Sequence, residues 1–152
     1  MTEPERKTET TFEAHITDTL KNRIAHGCMV MQISKEAADA ILNANEPMIK
    51  AHNVNDAKRV LPQHIMDKID TIEMVTHFTL TGKVQRSVVI NMINGFGVTG
   101  EPSVSVTVEN DREEIGTQIA LRNAVDRIWQ LEGYLKCQEL YEAKLKDKLK
   151  DE

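Results

Sequence analysis

The chain has 152 residues, of which 40% are hydrophobic, with a formal net charge of −5 at pH 7 and two cysteines. A chain of this length buries about 70% of its unfolded surface, so one domain can fold without a disulfide or a metal ion. The acidic balance speaks against binding to duplex nucleic acid, because phosphate contacts require a basic surface. No stretch approaches the roughly 18 apolar residues of a membrane span, and no signal peptide is recognisable.

The first 61 residues are predicted to form two regions. Residues 1–11 are polar and are expected to be a disordered tail. Residues 12–61 are expected to be an N-terminal helical region, in which a second helix follows Ser34 and ends at Pro47. The run CMVMQI between its helices is either a strand or a buried connector. The first helix has apolar residues at every fourth position, namely Phe12, Ile16, Leu20 and Ile24.

The middle of the chain changes its hydrophobic period. Pro62 is suited to begin a helix, which is expected to continue through Glu73. Alternating apolar residues then predict a three-stranded antiparallel meander over roughly residues 74–109. In the last strand, SVSVTV, the side chains of Val104, Val106 and Val108 are expected to point into the core.

A long helix is predicted from about residue 111, and it completes an α+β fold. Two apolar groups lie around this helix, a row at spacings of three and four (Leu121, Ala124, Ile128, Leu131, Leu135) and a second set (Ile115, Ile119, Val125, Trp129). One small sheet does not easily cover both groups, which predicts a homo-oligomer joined through the helix. Alternatively, the N-terminal helices cover the second group within one chain. Residues 137–152 are expected to be a charged helical tail.

The stretch NGFGVTG contains a Gly-x-Gly-x-x-Gly pattern at Gly95, Gly97 and Gly100. A dinucleotide site requires a helix directly after such glycines, but here a further strand is predicted. Asn94-Gly95 between alternating runs is instead a strong hairpin signal, interpreted as a type I′ turn. Gly97 and Gly100 indicate either a bulge or a close approach of another group to the backbone.

No other pattern predicts catalysis. The five histidines are scattered, no set of residues has the spacing of metal ligands, and no nucleophile motif is present. We therefore expect a protein without enzymatic activity, cofactor or metal. Arg122 and Asn123 interrupt the most regular part of the long helix. They are either ordinary exposed residues or, with Arg122 beside the turn, a site for a phosphate or carboxylate.

The segment from residue 62 to about 136 resembles the gp-forty-nine/sixty-six-like family of small tailed-phage proteins. The matching elements include Asn94-Gly95-Phe96, Asn110-Asp111, Asn123-Ala124 and Ile128-Trp129, together with Val98-Thr99-Gly100-Glu101, Glu114-Ile115-Gly116, Ala120, Leu131-Glu132-Gly133-Tyr134 and the segment IMDKIDTIEMVTHF. The resemblance implies a β-meander plus helix domain at 62–136 and a phage accessory protein made in the bacterial host cytoplasm. The layout is also similar, more weakly, to phage sponge proteins, which sequester nucleotide signals of bacterial immunity.

These observations support a leading hypothesis and two alternatives. The leading hypothesis is a non-enzymatic protein that captures a small anionic nucleotide-type ligand to counter host defence. Its candidate ligand-binding residues are Asn94, Phe96, Arg122, Asn123 and Arg86, with Phe96 stacking on a base and Arg122 holding a phosphate. The alternatives are a protein-interaction module that inhibits a host protein through its acidic surface, and an assembly accessory that only oligomerises.

Overall fold

A computed structural model describes residues 28–151 of the chain. The predicted disordered tail and the first predicted helix lie outside this range. The described helices are α1 (Glu36–Leu42), α2 (Glu46–Ala51), α3 (Pro62–Lys68) and α4 (Glu113–Lys150); the strands are β1 (Met29–Ile33), β2 (Ile69–Phe78), β3 (Val84–Met92), β4 (Gly97–Thr99) and β5 (Ser103–Val104). The run CMVMQI therefore contributes a strand, β1.

The strands form one antiparallel sheet in the order β1-β2-β3-β4, and β5 pairs with β3 on the same edge as β4. Alternation places one side of β2 and β3 in the core. The pairs Ile72–Ile90 and Met74–Val88 face each other there in register, and all four side chains are buried. Cross-strand apolar pairs of this kind stabilise the sheet and hold its register.

Helix α4 covers the buried face of the sheet. Its buried side chains are Ala120, Leu121, Ala124, Val125 and Ile128, each at most 1% exposed. The two alanines allow the helix backbone to lie close to the strands. Ala38 and Leu42 of α1 and Ile65 of α3 complete the same core. The predicted α+β class, with an antiparallel sheet and a long C-terminal helix, is confirmed.

Two predicted helix ends are wrong. The helix that starts at Pro62 ends at Lys68 rather than Glu73, because Ile72 also fits the two-residue period of a strand with Met74 and Thr76. A register shift between Ile69 and Thr71 allows Ile69 to be buried as well. The segment forms a strand rather than a longer helix because β2 pairs with β1 on one side and with β3 on the other. Pro47 lies in the first turn of α2 instead of ending α1. Proline is tolerated there because it has no backbone N–H, and the N–H groups of the first turn have no acceptor within the helix.

The predicted third strand over residues 103–108 is largely absent. Strand β5 ends at Val104, and the side chains of Val104, Val106 and Val108 are 44%, 86% and 56% exposed. Their predicted burial is therefore wrong. Residues after Val104 instead lead the chain towards α4, where Asp111 contacts Arg86 of β3. The inward position beside Ile90 is taken by Val98 of β4, which is 3% exposed.

The Asn94-Gly95 hairpin is confirmed, but its predicted type is wrong. A type I′ turn needs positive φ at both central residues. Gly95 has φ 88°, whereas Asn94 is not in the positive-φ region. The amide of Gly95 donates to the carbonyl of Met92 at 2.9 Å, and the amide of Met92 donates to the carbonyl of Phe96 at 2.8 Å. This is a three-residue loop, Ile93 to Gly95, with its left-handed residue last.

Gly100 is the place where the loop between β4 and β5 lies against α4. A Cβ atom added at Gly100 would stand 2.3 Å from the backbone nitrogen of Ala124 and 2.3 Å from the carbonyl carbon of Asn123. The expected close approach of another group to this backbone is confirmed. The group is the helix of the same chain, which explains this glycine without a bound phosphate.

We predict that Gly100→Ala destabilises the fold by about 1–3 kcal/mol or more, because two backbones must separate to admit the methyl group. The matched control is Gly133→Ala in α4, where a Cβ would meet no atom within 4 Å. The control should stabilise the helix by about 1 kcal/mol. Thermal unfolding followed by circular dichroism measures both. Equal melting temperatures for Gly100→Ala and the wild type would contradict the prediction.

Candidate functional site

Two open grooves flank α4 on different sides. The Arg122 groove lies between α4 and the α1–α2 region and has a volume of about 740 Å³. The Phe96 groove lies between α4 and the β3–β4 loop and has a volume of about 350 Å³. Both volumes fall within the range of about 300–1,000 Å³ that is common for small-molecule sites.

The Arg122 groove combines polar groups with an aromatic wall. Helix α4 contributes Gln118, Arg122, Asp126 and Trp129, which share one side of the helix within an arc of about 80°. Trp129 is half-buried and packs partly against the core. The facing wall comes from α1, α2 and the turn between them, including Ile41, Asn45, Glu46 and Ile49.

The acidic residue on the facing wall, Glu46, already has a counter-ion within the fold. The carboxylate of Glu46 accepts two hydrogen bonds from the guanidinium of Arg59, at 2.9 and 2.8 Å. These bonds lower the pKa of Glu46, so its charge is retained and paired at neutral pH. Arg122 and Asp126 then remain as the exposed charges of the groove. Its chemistry is that of one guanidinium and one carboxylate beside two side-chain amides and an indole.

The Phe96 groove is mainly apolar. Phe96 and Tyr134, 56% and 71% exposed, form part of its walls together with Ile93, Leu131 and Leu135. The polar groups are Asn94 and an ion pair in which Lys68 contacts Glu132 at 2.6 Å. Asn94 also supports the turn, since its side-chain oxygen accepts a hydrogen bond from the amide of Phe96 at 3.0 Å.

The predicted site residues do not form one cluster. Phe96 faces the side of α4 that carries Leu131, and Arg122 is rotated from Leu131 by about 180° and displaced along the axis by about 13 Å. A base on Phe96 and a phosphate on Arg122 therefore cannot belong to one small ligand. The expectation that Arg122 stands beside the sheet turn is wrong, because helix rotation directs it towards α1 and α2.

Asn123 and Arg86 are engaged within the fold. The side-chain amide of Asn123 donates to the carbonyl of Glu101 at 2.9 Å, next to the Gly100 contact. Arg86 is 6% exposed and donates to both carboxylate oxygens of Asp111, at 2.7 and 3.1 Å. Gly116, in the first turn of α4, lies directly over this guanidinium. Both side chains thus fasten α4 to the sheet and present little surface to a ligand.

The candidate site predicted from the sequence did not include Trp129 and Gln118, which line the same groove as Arg122. They stand seven residues after it and four before it, a spacing that places all three on one side of a helix. That signal was available in the sequence. Local sequence patterns do not predict the contribution of Asn45 and Glu46, because these residues reach the groove through the packing of α1, which precedes them, against α4.

Among residues 28–151, no three His, Cys, Asp or Glu side chains are grouped so that they could hold a metal ion. None of the helices in that range is long and apolar enough to cross a membrane.

These features define a small α+β protein that is organised around one long helix with a groove on each side. The chain belongs to the Phage protein (N4 Gp49/phage Sf6 gene 66) family, whose sequence model matches residues 49–140. The match includes the segment that was identified from its motifs. It extends further towards the N-terminus, to residue 49 within α2.

No curated protein and no solved structure matches the chain. The similarity of its layout to nucleotide-signal sponge proteins therefore stays a prediction from the sequence.

We predict that Asp111→Asn lowers the free energy of unfolding by about 3 kcal/mol at neutral pH, because it leaves the buried Arg86 charge without its counter-ion. Arg86 holds the pKa of Asp111 below its ordinary value of 3.8. A depressed pKa in the folded state stabilises the protein above the unfolded-state pKa, and the contribution is lost as pH falls through the folded-state pKa.

Urea unfolding at several pH values measures this effect. The difference between the wild type and Asp111→Asn should be constant between pH 5 and 8 and should shrink as the pH is lowered below about 4. The matched control is Asp70→Asn, at an exposed position of β2, which should behave as the wild type. A difference that does not change with pH would show that the ion pair is not the cause.

Proposed function

We propose that this protein is a non-enzymatic phage accessory protein that binds a small nucleotide-type ligand in the Arg122 groove. By holding the ligand in the bacterial host cytoplasm, it withholds an immune signal from the host defence system. The observation that carries the proposal is the presence of Arg122 and Trp129 on one wall of a groove of about 740 Å³.

The chemistry of the groove supports a nucleotide. A guanidinium donates two parallel hydrogen bonds to a phosphate, and an indole offers a flat surface for a base. The amides of Asn45 and Gln118 supply donors and acceptors for the edge of a base or the hydroxyls of a ribose. Asp126 disfavours a densely charged ligand, so a nucleotide with one or two phosphates fits better than a triphosphate.

The absence of catalysis is part of the proposal. The groove brings a carboxylate and a guanidinium together with amides, but its lining within residues 28–151 includes no histidine, cysteine or serine. Capture without conversion suits a protein that lowers the free concentration of a signal. Family membership supports a phage accessory protein. The role in host defence is proposed from the layout expected from the sequence.

The proposal is tested in two stages. Purified protein is incubated with extract of infected cells and washed, and the small molecules released on denaturation are identified by mass spectrometry. Cyclic ADP-ribose isomers and ADP-ribose are then titrated into the protein by calorimetry. Recovery of a nucleotide that also binds in the titration supports the proposal, whereas a blank in both stages contradicts it.

We predict that Arg122→Ala weakens nucleotide binding by about tenfold to a hundredfold, since a charged hydrogen-bond donor is removed from the phosphate. Arg127→Ala is the matched control, because Arg127 is exposed on the same helix but lines neither groove. Phe96→Ala should also bind normally, because Phe96 lies in the other groove. Loss of binding with Phe96→Ala and not with Arg122→Ala would show that the nucleotide binds in the Phe96 groove instead.

A second candidate function is inhibition of a host protein. It is favoured by the net charge of −5 and by β1, an edge strand whose outer side pairs with no strand among residues 28–151. An extended segment of another protein can add to such an edge. A host protein recovered in pull-downs from infected cells, together with a blank in the small-molecule assay, would favour this candidate. An accessory that only oligomerises would give blanks in both assays.

A further inference from the structure

The C-terminal half of α4 carries an exposed apolar stripe. The helix leaves its own core after Ile128 and continues to Lys150. Leu131, Leu135, Leu145 and Leu149 are between 41% and 71% exposed. They continue the three-and-four spacing of the buried row, with Gln138 and Glu142 at the two intervening positions. A stripe with this repeat is the seam of a coiled coil.

We propose that a second copy of this chain covers the stripe, with the two α4 helices antiparallel and centred on Leu140. In this register, Leu131 faces Leu149 of the partner subunit and Leu135 faces Leu145 of the partner subunit. Gln138 faces Glu142 of the partner subunit. The pairing therefore puts leucine on leucine and an amide donor on a carboxylate throughout the free part of the helix.

The polar layer selects this direction. In a parallel pair with the same seam, Glu142 would face its own copy, and two like charges would meet in the interface. In the antiparallel pair, each Glu142 meets a Gln138 side chain that can donate to it. Gln138 already donates to Glu142 of its own chain at 3.0 Å, and the second N–H of its amide is the donor for Glu142 of the partner subunit.

The charged residues beside the seam have counter-ions in the same register. The positions on one flank are Glu132, Glu139 and Lys146. Glu132 is 9% exposed and is already paired with Lys68 at 2.6 Å, and antiparallel pairing brings Lys146 of the partner subunit next to this ion pair at each end. The two Glu139 side chains approach each other at the centre, but each has Lys136 as a counter-ion at 3.3 Å. On the other flank, Tyr134 meets Lys148 of the partner subunit and Tyr141 meets its own copy.

The register also gives the Phe96 groove an occupant. Leu131 and Leu135 are both seam residues and groove residues. Leu145 and Leu149 of the partner subunit would therefore enter the groove beside Phe96 and Ile93, whose side chains are 56% and 66% exposed. The Arg122 groove, on the opposite side of α4, stays open in this dimer.

Disulfide trapping tests the register. In a background of Cys28→Ser and Cys137→Ser, the double variant Leu135→Cys with Leu145→Cys should form covalent dimers on mild oxidation. The two positions are about 15 Å apart in one helix, which prevents a bond within the chain. The matched control, Leu135→Cys alone, should stay monomeric on a non-reducing gel. Cross-linking of the control, or no cross-linking of the double variant, would overturn the antiparallel register.

Light scattering tests the surface independently of cysteine chemistry. The wild type should have twice the chain mass of 17.2 kDa at high micromolar concentration. Leu145→Glu with Leu149→Glu should have the monomer mass, and its circular dichroism should confirm that it is folded. The control Leu80→Glu, at an 86% exposed position outside α4, should remain dimeric. A monomeric wild type, or a dimer that survives the double substitution, would refute the proposal.

Discussion

The close packing of α4 on the sheet is the constraint on which the rest of the structure depends. Gly100 lies against the helix backbone at Asn123 and Ala124, and the two buried alanines keep the helix near the strands. Arg86 and Asp111 fasten the start of the same helix through two hydrogen bonds. Since dense packing at these points leaves little freedom to rotate, the direction of every other side chain of α4 follows from them.

This rotation separates the proposed ligand-binding groove from the proposed dimer surface. The side of α4 that turns away from the sheet forms the Arg122 groove with α1 and α2. The side that faces the sheet continues beyond it as the exposed leucine stripe and one wall of the Phe96 groove. A ligand in the first groove and a second subunit on the stripe therefore do not compete for the same surface. One helix can serve both because it is far longer than the sheet that it covers.

Much of the fold was predictable from local pattern, and the errors have identifiable physical causes. The strands with regular alternation and the long helix were recognised because their periods are unambiguous. Ile72 fits both periods, and pairing with two neighbouring strands made it part of β2. Val106 and Val108 alternate as a strand would, yet β5 stops before them because the chain must return over the sheet to bring Asp111 to Arg86. The candidate site was predicted less well, since Phe96 and Arg122 were joined across a distance that the helix rotation does not allow.

The sequence by itself determined the class of the protein, its family, and the positions of the Gly95 turn and the long helix, because these depend on local conformational preference and on motif. It also contained the spacing that places Gln118, Arg122 and Trp129 on one side of α4. Tertiary structure alone decided that Arg86 is buried by Asp111, that Asn123 holds the Glu101 carbonyl, and that Asn45 reaches the groove of Arg122. Those contacts join residues far apart in the chain, so only the packing of complete elements could select them.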